Sequence, residues 1–281
     1  MKSKKLKITL GICAVFLAVV VVLSGIGVFI SYRLMTVTNY SISDNRLSKD
    51  TSFILLSDLH DSSFGEGNKE LISKVKEQKP DVIFTVGDMI SNYIEDYSYL
   101  DSLYEELSQI APVYSSLGNH ELSHPESDEI KKILRKHSTL LDNEYTEVSI
   151  NGTDMRIGGL MGYHPSKDEL NEYIRDFANT DKFTVLLSHC PEYYFWGVDE
   201  VKIDLMLSGH THGGQVILPF AGGVYAPEQG WWPEYDYGVF YEENATLVIT
   251  RGLGSSKQKV PRFNNPPEIL CLTLTPEADY E

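Results

Sequence analysis

Five short apolar runs, each closing on a side chain of a metal-ligating type, constrain this 281-residue chain more than any other feature. The runs are SFILLS (52–57), DVIFTV (81–86), PVYSSL (112–117), FTVLLS (183–188) and IDLMLS (203–208). Their length and β-branched content, bounded by glycine and polar residues, predict strands. Segments 67–78, 97–110, 127–137 and 167–177 lie between them and carry helix-like patterns. Strands alternating with helices argue for a layered α/β domain. The stretches TEVSI, DMRIGGL, GQVILP, YGVFYEENATLVITR and EILCLTL read as further strands and hairpins, so a mixed or doubled sheet is expected rather than a purely parallel one.

The residues directly after each run carry the chemistry. Asp58-Leu59-His60 succeeds the first, Gly87-Asp88 the second and Gly118-Asn119-His120-Glu121 the third; His189 succeeds the fourth and Gly209-His210-Thr211-His212 the fifth. Loops at the carboxyl ends of parallel strands gather at one edge of a sheet, where ligand sites form. Asp, His and Asn offer oxygen and imidazole donors suited to Mn, Fe, Zn, Co or Ni rather than to a thiolate zinc site. In His210-Thr211-His212 two imidazoles one residue apart, flanked by glycines that free the backbone, can be aimed at two neighbouring ions. A dinuclear centre is therefore expected. Taken singly, Asp-Leu-His is a common strand-end turn and Gly-Asp is close to noise, whereas Gly-His-Thr-His-Gly-Gly favours a site by itself. All five in one order disfavour a purely structural explanation. No Gly-x-Gly-x-x-Gly or P-loop pattern offers a competing cofactor site.

The N-terminus has a separate character. Residues 8–30 contain no charged side chain, long enough as a helix to cross a hydrocarbon layer of about 30 Å. The run exceeds the roughly 7–15 residues of a cleavable signal core, and no small-x-small cleavage pattern comes after it, so an uncleaved anchor is expected. Lys2, Lys4, Lys5 and Lys7 precede the run and only Arg33 lies soon after it. That bias puts the N-terminus in the cytoplasm and the domain outside. The expected division is a cytoplasmic N-terminus (1–7), a transmembrane anchor (8–30), a stalk (31–50), the main domain (51–275) and a tail (276–281). Five of the 24 basic residues and none of the 40 acidic ones lie in the first 33 positions, leaving 19 against 40 in the remainder. Such a surface argues against nucleic acid as a partner, and no protein partner is evident. Cys190 and Cys271 are expected to be free and buried.

In combination, DLH, GD, GNHE, SHCP and GHTHGGQ resemble the calcineurin-like metallophosphoesterases. TRGLGSS and then PRFNNPPEILCLTL are similar to a membrane-anchored bacterial branch of that superfamily. The likeness runs from about Ser52 to Leu274. It implies a four-layer α/β/β/α sandwich behind the N-terminal transmembrane helix, and a metal-dependent hydrolase of phosphoesters, whether diesters, monoesters or pyrophosphates, carried on a lipid or a nucleotide. It implies one ion held by Asp58, His60, Asp88 and His212 and another by Asp88, Asn119, His189 and His210, with manganese favoured. His120 would stabilise the transition state or protonate the leaving oxygen, with Glu121 orienting it. Two positions depart from the family pattern: Ser91 stands where an acidic residue is common, and Glu121 where aspartate is common. Arg251 and Arg262 are candidates for phosphate contact, since guanidinium groups match phosphate oxygens. His124, His137 and His164 are expected to lie outside the centre, and Trp231 and Trp232 to form a lid or a lipid-facing surface. An inactive scaffold of the same fold is the alternative, and it predicts lost ligands.

Overall fold

Period-two alternation along the strands explains how this chain stacks its layers. In the computed structural model, which describes residues 2–160, 167–255 and 261–277, two six-stranded sheets face each other. The first holds β1 (Thr36–Asp44), β2 (Thr51–Leu56), β3 (Val82–Val86), β4 (Val113–Ser116) and β5 (Thr139–Leu140). The second holds β6 (Glu144–Ile150), β7 (Thr153–Leu160), β8 (Phe183–Ser188), β9 (Leu205–Ser208), β14 (Gly238–Tyr241) and β15 (Thr246–Ile249), in the order β14-β15-β9-β8-β7-β6. The last strand, β16 (Glu268–Pro276), returns to the first sheet and gives the order β1-β16-β2-β3-β4-β5.

Alternate residues of one strand serve different cores. On β2, Phe53 and Leu55 join the core between the sheets, while Ile54 and Leu56 face an outer core. On β9, Leu205 and Leu207 point between the sheets and Met206 points outward. Helices α2 (Lys69–Glu77), α3 (Tyr99–Ser108) and α5 (Ser127–His137) cover the first sheet; α3 does so with Leu100, Leu103, Tyr104 and Leu107, an i, i+3, i+4, i+7 stripe. Helix α6 (Lys167–Ala178) covers the second sheet with Leu170, Ile174 and Phe177. These are the four layers expected. Strands β2, β3 and β4 run parallel, as do β7, β8, β9 and β15, so the loops after them share an edge.

One local expectation is corrected. The segment 31–50 is no stalk: its centre is β1, paired in parallel with β16 over nine positions, with Val37 packed on the outer core and Tyr40 and Ile42 on the inner one. Its partner lies more than 200 residues away, so nothing local marks it as a strand. GNHE opens a short helix, α4 (Asn119–Ser123).

Helix α1 (Lys2–Arg33) carries the apolar run, with one face of its last turns docked on the domain and most of its length exposed. The Gly27 carbonyl accepts from the Asn264 amide at 3.3 Å, and the Phe263 ring leaves no room for a β-carbon at Gly27. Ser31 Oγ accepts from the Asn265 amide at 3.1 Å. Between β9 and β14 lie two small hairpins, β10 (Ile217–Leu218) with β11 (Gly222–Gly223), and β12 (Tyr225–Ala226) with β13 (Gly230–Trp231). Cys190 and Cys271 are free and buried.

Candidate active site

Tight turns after β2, β3 and β9 place the donor side chains, and they need unusual backbone. Asp58, His60, Asp88, His210 and His212 all adopt positive φ, between 48° and 68°, where side-chain-bearing residues are uncommon. Such conformations persist where surrounding structure over-determines them, typically at functional sites. Gly209 shows the crowding: a β-carbon there would collide with Ser57 Oγ and lie 2.5 Å from Asp58 Oδ2.

These turns bring the strand-end residues together. Asp58 Oδ1 lies 3.8 Å from His60 Nε2, 3.8 Å from His212 Nδ1 and 4.0 Å from His189 Nε2. Asp88 Oδ2 lies 3.8 Å from His60 Nε2 and 3.1 Å from His189 Nε2. His210 Nδ1 stands 3.2 Å from His189 Nε2. Two groups result, Asp58-His60-His212 and Asp88-His189-His210, and Asp88 also reaches His60. Asn119 comes after β4, on α4.

Whether these residues suit metal ions is tested by what their polar atoms lack. Buried polar atoms normally find partners. Here Asp58 Oδ1, His60 Nδ1 and Nε2, Asn119 Oδ1, His210 Nε2 and His212 Nδ1 are buried with no hydrogen-bond partner among the described residues. Burial pushes His60 down to about 3 and His212 to about 4, and it holds His210 well below the usual range. Those rings are neutral, the form that binds metals. Burial alone would lower His189 too, but the Asp88 carboxylate overrides it and raises this imidazole to about 10. A positive charge is therefore stabilised beside Asp88. His189 Nδ1 lies 2.7 Å from the Val86 carbonyl, to which it donates, leaving Nε2 for the site. Metal-binding histidines commonly anchor their second nitrogen this way. The donor set fits divalent ions of intermediate hardness, and the nearby Cys190 thiol is raised by burial well above its usual value, so no thiolate competes.

His120 and Glu121 do not form the expected pair. Glu121 turns beneath the site, where its carboxylate accepts from the amides of Asp88 (2.8 Å), Met89 (2.6 Å), Ile90 (3.3 Å) and Gly118 (2.9 Å). The longer glutamate reaches past the imidazole and splints the Asp88 loop to α4. Burial, and next the Asp88 charge, raise its pKa, while those amides oppose the rise. His120 is oriented by Asn92, whose backbone N–H donates to Nδ1 at 3.0 Å. Its Nε2, 3.9 Å from Asp88 Oδ2, therefore carries the proton and faces the donor groups. Ser91 is buried and its Oγ bonds to nothing among the described residues.

The two arginines differ in how far protein oxygens consume them. Arg262 is 1% exposed and donates to the carbonyls of Gly252, Gly254, Asn265 and Pro266 and to Asn265 Oδ1. No donor is left for phosphate; burial lowers its pKa to about 10. Its work is to hold the Gly252–Gly254 turn, which packs on Asp58. Arg251 is paired with Glu268 at 2.7 Å and reaches Thr36 and Thr38. His124 and His137 bond away from the centre, to the Ile94 carbonyl and to Asp101, and His164 lies outside the described residues. Sequence reasoning missed Asn92 and Asn265. Asn265 Nδ2 donates to the His212 and Gln215 carbonyls at 2.7 and 3.1 Å and so ties the last ligand loop in place. The NNPP stretch that holds Asn265 offered a turn signal, but no hint of that contact.

Known proteins share the sequence pattern of this site region. Residues 51–214 match the family model described as Calcineurin-like phosphoesterase. An "Uncharacterized metallophosphoesterase" of Aquifex aeolicus (strain VF5) is 27% identical over 85% of this chain and 92% of its own length. The "Uncharacterized metallophosphoesterase YkuE" of Bacillus subtilis (strain 168) is 30% identical over 79% of this chain and 78% of its own. Among solved structures, a dimetal phosphatase from Danio rerio is similar with a TM-score of 0.43 and 11% identity, over 72% of this chain and 87% of that one.

Proposed function

This chain belongs to the calcineurin-like phosphoesterase family and is a metal-dependent phosphoester hydrolase, and from that premise we propose that it acts on a lipid-borne phosphoester at a membrane surface to which α1 anchors it. Asp58, His60, Asp88 and His212 would hold one divalent ion and Asp88, Asn119, His189 and His210 a second, with manganese the ion favoured. The observation that carries this assignment is the set of buried, unpartnered donor atoms on five of these seven residues. When bound, such a pair supplies Lewis acidity, making water a nucleophile near neutral pH and offsetting charge on phosphate oxygens.

The chain's own residues supply position and proton control. Asp88, set by Glu121 and by the His120 amide at 2.8 Å, stands between the two donor groups. His120 presents an Nε2–H at the rim, placed to donate to the leaving oxygen or to a phosphoryl oxygen as charge builds.

Support for the membrane part comes from α1 and its surroundings. The docked turn of α1 reaches Asn265, which in turn holds the His212 loop. Phe220, fully exposed at the β10–β11 turn, sits on a hairpin whose Ile217 amide bonds the Phe263 carbonyl beside Gly27. An apolar tip next to an apolar helix suits an interfacial position. The basic residues before the span favour a cytoplasmic N-terminus and a domain outside.

The test uses the full chain in detergent, stripped of metal and reloaded separately with manganese or zinc, against bis-p-nitrophenyl phosphate and p-nitrophenyl phosphate. Metal-dependent release of p-nitrophenol from at least one is expected. Metal uptake without hydrolysis of either would leave the scaffold reading in its place.

A further inference from the structure

Beside the Asp88-His189-His210 group lies a cavity of about 370 Å³ lined by Glu192, Phe195, Gln229, Trp232, Glu234 and Tyr235. It adjoins the candidate centre: a Glu192 carboxylate oxygen, Cys190 Sγ and a His210 ring nitrogen lie within 4.8 Å of one another. Its volume is at the small end of the roughly 300–1,000 Å³ usual for small-molecule sites. Aromatic rings form much of the wall. The Phe195 and Tyr235 centroids are 4.7 Å apart, and Trp232, 60% exposed, offers its ring to solvent.

The polar atoms of this cavity select the charge of its occupant. Gln229 is fully used: its amide group donates to Glu192 Oε1 at 2.8 Å and to the Tyr235 carbonyl at 3.0 Å, and its oxygen accepts the Tyr235 amide at 3.0 Å. The Tyr235 hydroxyl donates to Glu242 at 2.9 Å. What remains is acceptor, apart from the neutral indole N–H of Trp232. Glu192 is 6% exposed, and its Oε2 is buried with no partner; Glu234 adds an exposed carboxylate. Neither Lys nor Arg lines the space among the described residues. A phosphate group would meet no cationic donor there and two like-charged carboxylates nearby, whereas an ammonium group would be attracted by those carboxylates and by the aromatic rings.

We propose that this cavity is a subsite for an alkylammonium group on the substrate, so that phosphodiesters with a choline- or ethanolamine-type head group are preferred. The proposal rests on the phosphoesterase reading and names the substrate class for that site.

The full chain in detergent, loaded with manganese, is given three esters with the same leaving group: p-nitrophenyl phosphorylcholine, ethyl p-nitrophenyl phosphate and bis-p-nitrophenyl phosphate. The choline ester is expected to exceed the ethyl ester in kcat/KM by about tenfold or more, equivalent to about 1.4 kcal/mol. Glu192→Gln should bring that ratio towards one through KM, and Trp232→Ala should lower it roughly threefold or more. Choline alone should change Trp232 fluorescence, with Trp232→Phe as control. Equal handling of the choline and ethyl esters by an active enzyme overturns the subsite, as does absence of choline binding. Choline binding without hydrolysis of any ester sustains the subsite and overturns the phosphoesterase reading beneath it.

Discussion

Replacing Glu121 with glutamine separates a positioning role from a chemical one. In the structure Oε2 accepts the Asp88 and Gly118 amides and Oε1 those of Met89 and Ile90, all beneath the site, and the residue is 1% exposed. A carboxamide retains one acceptor oxygen, so whichever way it turns two buried N–H groups lose their partner and face an NH₂. Hydrogen bonds to a charged group contribute about 1.5–3 kcal/mol each. Relief of the burial penalty on the carboxylate offsets part of two such losses, leaving an expected destabilisation of about 2–4 kcal/mol. For a domain of this size that lowers the melting temperature by roughly 5–15 °C. Because the Asp88 loop loosens with it, manganese affinity should fall about 10–100-fold. Thermal unfolding in detergent and calorimetric titration with manganese read both quantities. At saturating manganese, kcat should stay within about threefold of the parent, since no Glu121 oxygen faces the donor groups. A variant with normal melting and normal manganese affinity but a collapsed kcat would refute this reasoning and return Glu121 to the chemistry.

Other outcomes rest on the same geometry. His120→Ala should keep both ions, measured by elemental analysis, and lose about 10²–10⁴-fold in turnover; normal turnover would remove the Nε2–H from the mechanism. Chelation should lower the melting temperature by roughly 5–10 °C, as expected for about 2.7 kcal/mol of linkage at a hundredfold excess over Kd, and manganese should restore it. An unchanged melting curve would mean that the unpartnered donors bind no metal. Arg262→Met strips the guanidinium from five backbone and side-chain acceptors and should destabilise by about 3 kcal/mol or more. Selective loss of substrate affinity at unchanged stability would show instead that Arg262 reaches phosphate.

Legibility in the sequence tracked the range of the interactions. The strands β2, β3, β8 and β9 are short and buried on both faces, so each reads as a predominantly apolar run. The stripe on α3 and the bounds of α5 are likewise local patterns. Strand β1 could not be read, because its residues alternate weakly and become a strand only by pairing with β16. Glu121 misled for a related reason. Its neighbour in the chain is His120, but three of its four amide partners lie about 30 positions away. Arg262 was misread because a guanidinium's preference for oxygen is the same whether that oxygen belongs to phosphate or to a buried carbonyl.

Which residue types end the strands, and that they are oxygen and imidazole donors, was settled by the chain itself, since strand order and donor chemistry are written residue by residue. Which of them converge, which way each ring nitrogen points and which charged groups are consumed internally was decided only by tertiary structure. The reason is physical: a hydrogen bond forms over about 3 Å in space, and separation along the chain places no limit on it.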